Sequence, residues 1–101
     1  MTLHLTLKKI WFDLMISGKK QIEYRRPSKW IEKRIINKNY DFIKFVNGYG
    51  NDKPYFICKY DGYTNSNKDD EVIIEGNPIK INKGDFLIKL GDVIESGNLK
   101  H

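Results

Sequence analysis

The chain has 101 residues, 40% of them hydrophobic and 13% aromatic, which fits one folded domain over residues 1–101 rather than a disordered chain. No apolar run reaches the length of a transmembrane helix and no signal peptide precedes the first apolar segment, so we expect a cytoplasmic protein without membrane contact. The single cysteine, Cys58, cannot form an internal disulfide and is expected to be an ordinary core residue. One cysteine and two histidines give no basis for a metal site, and we expect no cofactor.

Positive charge is concentrated in the first half of the chain. Residues 1–50 contain 11 Lys and Arg against 4 Asp and Glu, whereas residues 51–101 contain 7 against 9. The first half therefore carries a net charge of +7 and the second half −2, which together give the +5 of the whole chain. This asymmetry favours a surface that attracts nucleic acid or nucleotides, although a solvated basic face would give the same counts.

The N-terminal elements are predicted to be two strands around a short helix. Apolar and polar residues alternate over residues 3–7, which predicts a half-buried strand. Apolar residues at helical spacing predict a helix over residues 8–17, and Gly18 is suited to end it in the left-handed conformation. A second strand is predicted over residues 21–25.

A second helix is predicted to follow directly. Pro27 stops the preceding strand, and Ser28 is a favourable N-cap. The helix is expected to end at residues 37–39, because four residues recur at helical spacing before that point: Trp30, Ile31, Arg34 and Ile35.

The remainder of the chain is predicted to be mostly strand. Short strands are expected at residues 40–46, 55–60, 71–75 and 86–90. A polar, mobile stretch is expected over residues 61–70, and Gly91 is expected to begin a C-terminal tail. Five to six short strands with two short N-terminal helices predict an α+β fold, a small and partly closed mixed β-barrel.

The segment after the first helix has the pattern G-x-K-x-x-E-x-R, beginning at Gly18. Residues two apart share a face of a strand, so Glu23 and Arg25 are predicted to point the same way. Lys20 joins them only if its backbone still belongs to the turn. Such a cluster can hold a phosphate, orient a water or form a plain salt bridge, and the candidate catalytic residues are Lys20, Glu23 and Arg25.

Further residues are candidates for nucleic-acid contact, each with a structural alternative. The tryptophans can stack on a base or pack in the core, and the cations can grip a phosphate or lie on a solvated face. Asn47 and Tyr49 belong to a glycine-rich turn that can form a pocket rim. The candidate nucleic-acid-binding residues are Lys8, Trp11, Lys19, Trp30, Arg34, Asn47 and Tyr49.

These motifs resemble those of the ASCH domain family, in its small single-domain prokaryotic or phage branch. The resemblance rests on the run from Leu3 to Phe12, on Gly18, Lys20, Glu23 and Arg25 at all four motif positions, and on Phe45-x-Asn47-Gly48-Tyr49-Gly50. It implies a PUA-like β-barrel with a cleft beside the first helix that accepts RNA or a modified nucleobase. Some members hydrolyse N4-acetylcytidine with a lysine, a threonine and a glutamate; Lys20 matches the lysine, but Glu23 stands at the threonine position.

The resulting hypothesis is an RNA- or nucleotide-binding domain, monomeric, with a basic cleft. Metal-independent ribonuclease activity is a further expectation, in which Lys20 stabilises a pentavalent phosphate and Glu23 deprotonates a 2′-hydroxyl or water. Two alternatives stay open. One is a small amidohydrolase acting on an N4-acylated cytidine, and the other is a non-enzymatic regulator that binds a protein partner.

Overall fold

The computed structural model describes residues 1–50 and 52–99. Two helices and seven strands follow one another along the chain: β1 Thr2–Leu7, α1 Lys9–Ile16, β2 Ile22–Arg25, α2 Lys29–Ile35, β3 Phe42–Asn47, β4 Tyr55–Asn65, β5 Asp70–Ile74, β6 Asn77–Ile81 and β7 Phe86–Gly97. The protein is therefore α+β, as predicted. Within the described part of the chain, neither helix is long and apolar enough to cross a bilayer.

Five strands form one curled, mixed sheet in the order β1-β3-β4-β7-β2. Strand β1 runs parallel to β3, and every other neighbouring pair is antiparallel. Because β1 and β2 are the two edges of this sheet, its curvature produces a half-barrel rather than a barrel closed by main-chain pairing. Among the strands that the structure describes, β5 and β6 pair only with each other and form a separate hairpin.

The core fills the concave side of the sheet. The apolar residues of β1 alternate with polar ones and are buried, as the pattern predicts. Helix α1 contributes Phe12 and Met15, and α2 contributes Ile31 and Ile35. Phe56 on β4 contacts Phe12 edge-on, with ring centroids 5.1 Å apart, which ties α1 to the centre of the sheet.

The turn between α1 and β2 has the irregular backbone that the motif requires. Gly18 has φ +82°, a left-handed conformation that strains other residues. The backbone amides of Lys19 and Lys20 both donate to the carbonyl of Leu14, so Lys20 still belongs to the turn that follows the helix. Regular strand begins at Ile22, one residue later than predicted.

The predicted N-cap of α2 is confirmed. Ser28 has an extended backbone, and its hydroxyl accepts a hydrogen bond from the amide of Ile31 at 3.2 Å. The cap lies three residues after Arg25 and fixes the start of α2 at Lys29.

The curled sheet has five strands, within the predicted five to six, but the described residues form seven strands in all because the hairpin adds two. The missed strand is β6, whose Pro78 lowers its strand propensity and suits an edge position. Residues 61–65 were expected to be mobile, yet they continue β4. Gly91 was expected to begin a tail, yet β7 continues to Gly97.

The length of β4 and β7 has a physical cause in their mutual pairing. The two strands pair from Tyr55–Gly97 to Asn65–Phe86, with register shifts between Ile57 and Tyr63. These shifts curl the ribbon, as β-bulges do. A Cβ at Gly91 would lie 2.9 Å from the Cβ of Lys59, so the glycine permits close approach of the strands rather than ending one.

Candidate functional site

Lys20, Glu23 and Arg25 form one hydrogen-bonded network. The Lys20 Nζ donates to Glu23 Oε1 at 3.1 Å, and the Arg25 Nε donates to Glu23 Oε2 at 2.8 Å. Lys20 and Glu23 are 3% and 6% exposed, whereas the Arg25 side chain is 27% exposed. The predicted convergence of these three groups is confirmed, and the carboxylate of Glu23 is shared by two cations.

The network is positioned by both neighbouring elements. The alternation of β2 places Glu23 and Arg25 on one face, and the turn after Gly18 brings Lys20 to the same face. The Lys20 Nζ also donates to the carbonyl of Ile22 at 2.6 Å. The Arg25 Nη2 donates to the carbonyl of Thr6 on β1 at 2.9 Å. Because β1 and β2 are the two edges of the sheet and do not pair with each other, the Arg25 side chain bridges the gap between them.

Two aromatic rings face the buried ammonium group. The Lys20 Nζ lies 5.2 Å from the centroid of the Tyr24 ring and 5.8 Å from that of Trp11. Burial lowers the pKa of Lys20; the carboxylate of Glu23 opposes this shift, and Arg25 adds to it. Burial also raises the pKa of Tyr24, with Asp70 and Glu23 adding to the effect.

The network lies at the floor of an open cleft of about 490 Å³. Among the residues that line the cleft, four carry positive charge and only Glu23 is acidic. The aromatic lining comes from α1 and β2, and the opposite wall comes from β6. The lining consists of Thr6, Leu7, Lys8, Trp11, Lys20, Glu23, Tyr24, Arg25, Pro78, Ile79 and Lys80.

The predicted nucleic-acid contacts are divided between the cleft and other surfaces. Lys8 and Trp11 line the cleft. The Nζ of Lys19 instead lies 3.7 Å from Glu75 Oε1, at the tip of the β5–β6 hairpin.

The remaining candidates lie outside the cleft lining. On α2, the Arg34 guanidinium carbon lies 3.8 Å from the centroid of the Trp30 ring, which is 48% exposed. Asn47 ends β3, where its backbone amide donates a hydrogen bond to the carbonyl of Pro54 at 2.9 Å. Tyr49, in the turn that follows, is 85% exposed.

Sequence reasoning missed one wall of the cleft and part of its floor. Tyr24 was not among the candidates, because it alternates with Glu23 and Arg25 along the strand, yet its ring faces Lys20. Pro78, Ile79 and Lys80 lie on the unpredicted strand β6. The available signals were Gly76, which follows the apolar run of residues 72–74, and the alternation of Ile79, Lys80 and Ile81 after it.

Cys58 is outside this site. It lies on β4, 1% exposed, and borders a second, smaller hollow. Burial raises the pKa of its thiol to about 11, so it stays protonated and unreactive near neutral pH, as expected of a core cysteine. Within residues 1–50 and 52–99, no three His, Cys, Asp or Glu side chains come together in a way that could hold a metal ion.

Comparison with protein-family models, with curated proteins and with solved structures gives no match for this chain. The described residues therefore define this protein by its structure alone. It is a small α+β half-barrel with a basic cleft that has an aromatic wall and lies over a buried ion network.

Proposed function

We propose that this cleft binds one nucleotide of an RNA chain or a free nucleotide. The observation that carries the proposal is the buried Lys20–Glu23–Arg25 network beneath an aromatic wall. A volume of about 490 Å³ is within the range of small-molecule sites, which is about 300–1,000 Å³. The cleft is therefore large enough for a nucleobase with its sugar.

The charge of the cleft favours an anionic ligand. Glu23 already accepts hydrogen bonds from Lys20 and Arg25, so its charge is compensated internally. Lys8 and Lys80 line the cleft and take part in none of the ion pairs formed by the described residues. Their charges are available for phosphate groups, while the ring of Trp11 offers a surface for stacking.

We also propose that the chain is an ASCH domain with a PUA-like barrel. The support is the curled mixed sheet with two helices, together with the intact G-x-K-x-x-E-x-R motif. The three charged residues of that motif line the cleft, where a ligand-binding role requires them to be.

Binding is tested with fluorescently labelled single-stranded RNA and by competition with free nucleotides, at several salt concentrations. Lys8→Gln is the test variant, and Lys59→Gln, an exposed lysine on β4 outside the cleft lining, is the matched control. We expect Lys8→Gln to weaken binding and to reduce the slope of log K against log salt by about 1. Equal affinities and slopes for the two variants, or an affinity that does not depend on salt, would refute the assignment of the cleft.

Catalysis in the same cleft is a second candidate, and the lowered pKa of Lys20 favours it. Such lysines act in proton transfer and charge stabilisation at active sites. In a ribonuclease reaction, Glu23 accepts the proton of a 2′-hydroxyl whose oxygen bonds to phosphorus, while Lys20 and Arg25 stabilise the pentavalent phosphate. The bond from phosphorus to the 5′-oxygen then breaks, and that oxygen takes a proton from water. Each oxygen of Glu23 already accepts one hydrogen bond, so the 2′-hydroxyl donates to a remaining lone pair of the carboxylate.

The two reactions have separate tests. Ribonuclease activity must disappear in Glu23→Gln protein of equal purity, because a contaminating nuclease would persist. For the amidohydrolase alternative, N4-acetylcytidine is incubated with the protein and the products are separated by chromatography. Unchanged substrate excludes that reaction. RNA binding without either activity supports a binding module, and binding of neither RNA nor nucleotides favours the protein-partner alternative.

A further inference from the structure

We propose that the β5–β6 hairpin, residues 70–81, is a ligand-contacting arm that closes one side of the cleft. In this proposal Lys80 binds a phosphate of the ligand, and the ion pair between Lys19 and Glu75 holds the arm in place. The inference rests on the proposed function, because it assumes that the cleft takes a nucleotide. We refer to residues 70–81 as the arm.

The arm supplies part of the cleft wall. Pro78, Ile79 and Lys80 line the cleft together with residues of α1 and β2. Ile79 is half-buried, whereas Pro78 and Lys80 are exposed. The charge of Lys80 is therefore accessible in the cleft, and it takes part in none of the ion pairs found among the described residues.

The base of the arm is firmly attached to the half-barrel. The amide of Ser66 donates to the carbonyl of Asp85, and the amide of Gly84 donates to the carbonyl of Ser66, both at 2.8 Å. Asp85 is buried and accepts a hydrogen bond from the amide of Asn82 at 2.9 Å. Ile81, the last residue of β6, is buried as well. The arm is thus fixed where it leaves the sheet.

The rest of the arm is held much less strongly. Its strands pair only with each other, and Ile73 on β5 is 67% exposed. The two tip residues, Glu75 and Gly76, both have positive φ values, 48° and 78°, as in a type I′ hairpin turn. The tip contacts the main body through the exposed ion pair between Glu75 and Lys19.

Such an arm can exchange between a closed and an open position about its base. An exposed ion pair at 3.7 Å shifts this equilibrium only slightly, by about two- to fivefold. Loss of the ion pair is therefore expected to leave the fold intact and to raise both the association and the dissociation rates of the ligand. Simple electrostatics predicts a different result, because removing a negative charge near a basic cleft speeds association of an anion but slows its dissociation.

The arm is tested first without ligand, by hydrogen exchange of backbone amides. Glu75→Gln should speed exchange in β5 and β6 by about two- to fivefold and leave exchange in β3 unchanged. Asp92→Asn is the control, since it removes an equal charge from an exposed position of β7 outside the arm. The charge-swapped pair Lys19→Glu with Glu75→Lys should restore slow exchange. Equal exchange of β5 and β6 in Glu75→Gln and Asp92→Asn would overturn the role of the ion pair.

The ligand contact is tested by stopped-flow binding of labelled single-stranded RNA. Lys80→Gln should weaken binding and lower the salt slope by about 1, whereas Lys68→Gln, at an exposed lysine outside the cleft lining, should not. Glu75→Gln should raise both rate constants. Wild-type affinity in Lys80→Gln overturns the contact, and slower dissociation in Glu75→Gln overturns the closing motion. If Lys8→Gln loses RNA binding while Lys80→Gln keeps wild-type affinity, the proposed role of the arm is refuted and the proposed function is not. If the wild-type protein does not bind RNA, the proposed function itself is refuted.

Discussion

Replacement of Glu23 by Gln tests the structural reasoning most directly. The substitution keeps the shape of the side chain and removes its charge, so that the buried ammonium of Lys20 loses its counter-ion. Arg25 loses the same partner, but its side chain is 27% exposed and water can replace the lost contact. The main energetic consequence is therefore an uncompensated charge on Lys20.

The magnitude follows from the geometry of the pair. At 3.1 Å, and at an effective dielectric constant of about 20, two unit charges attract by about 5 kcal/mol. Removal of one member of a buried pair costs about 3–5 kcal/mol in general. The lower end of that range applies here, because the amide oxygen of glutamine still accepts a hydrogen bond from Lys20. We expect a loss of about 3 kcal/mol in the free energy of unfolding at neutral pH, which lowers the melting temperature by about 12–24 °C for a domain of this size.

The destabilisation should also depend on pH. Burial lowers the pKa of Lys20 below its usual value of 10.5, and loss of Glu23 removes the main group that opposes this shift. As pH rises through the lowered pKa, the folded state releases the proton while the unfolded state keeps it. The unfolded state then binds more protons, so the stability of Glu23→Gln rises with pH towards 10.5.

The assay is urea unfolding at a series of pH values, with Glu71→Gln as an exposed control expected to differ from wild type by less than about 0.5 kcal/mol. The double variant Lys20→Met with Glu23→Leu should be more stable than Glu23→Gln, because it leaves no buried charge. A loss below about 1 kcal/mol with no pH dependence would show that Lys20 is not a desolvated cation.

Two further predictions concern the core and a helix end. Burial raises the pKa of the Cys58 thiol from 9.0 to about 11, so the unfolded state loses this proton at a lower pH than the folded state does. The free energy of unfolding should therefore fall by about 2–3 kcal/mol between pH 9 and 11. In urea unfolding, Cys58→Ala should show a smaller decrease over that range, and a decrease identical to that of the wild type would contradict the assignment. Ser28→Ala removes the hydroxyl that accepts a hydrogen bond from the backbone amide of Ile31, and should lower the free energy of unfolding by about 1 kcal/mol. Ser17→Ala removes only an exposed hydrogen bond and should lower it by less. Equal losses of stability in the two variants would show that the cap contributes nothing specific.

Local signals predicted the N-terminal half of the fold well. The alternation of β1, the left-handed Gly18 and the Ser28 cap each determine the backbone within a few residues. The same local geometry explains why Glu23 and Arg25 were correctly placed together, because residues two positions apart on one strand point to the same face. Lys20 required only the additional condition of an irregular turn.

The C-terminal half depends on contacts that a local pattern does not reveal. Residues 61–65 include Asp61 and Gly62, which disfavour strands, yet pairing with β7 keeps them extended. Gly91 resembles a strand end and is instead a point of close approach to Lys59. The arm packs few side chains and contains a proline, so its hydrophobic pattern is weak. One wall of the cleft was therefore missed together with the strand that forms it.

The position of the ion network explains how one motif can serve both folding and binding. Main-chain pairing between β1 and β2 would close the barrel and leave little space between these edges. Instead, the Arg25 side chain reaches the carbonyl of Thr6, and Glu23 holds both that guanidinium and the ammonium group of Lys20. A hydrophobic replacement of a buried pair is often as stable as the pair itself, so stability alone does not require these charges. The Lys20→Met with Glu23→Leu variant therefore separates the two roles: if the cleft serves binding, this protein should fold and no longer bind RNA.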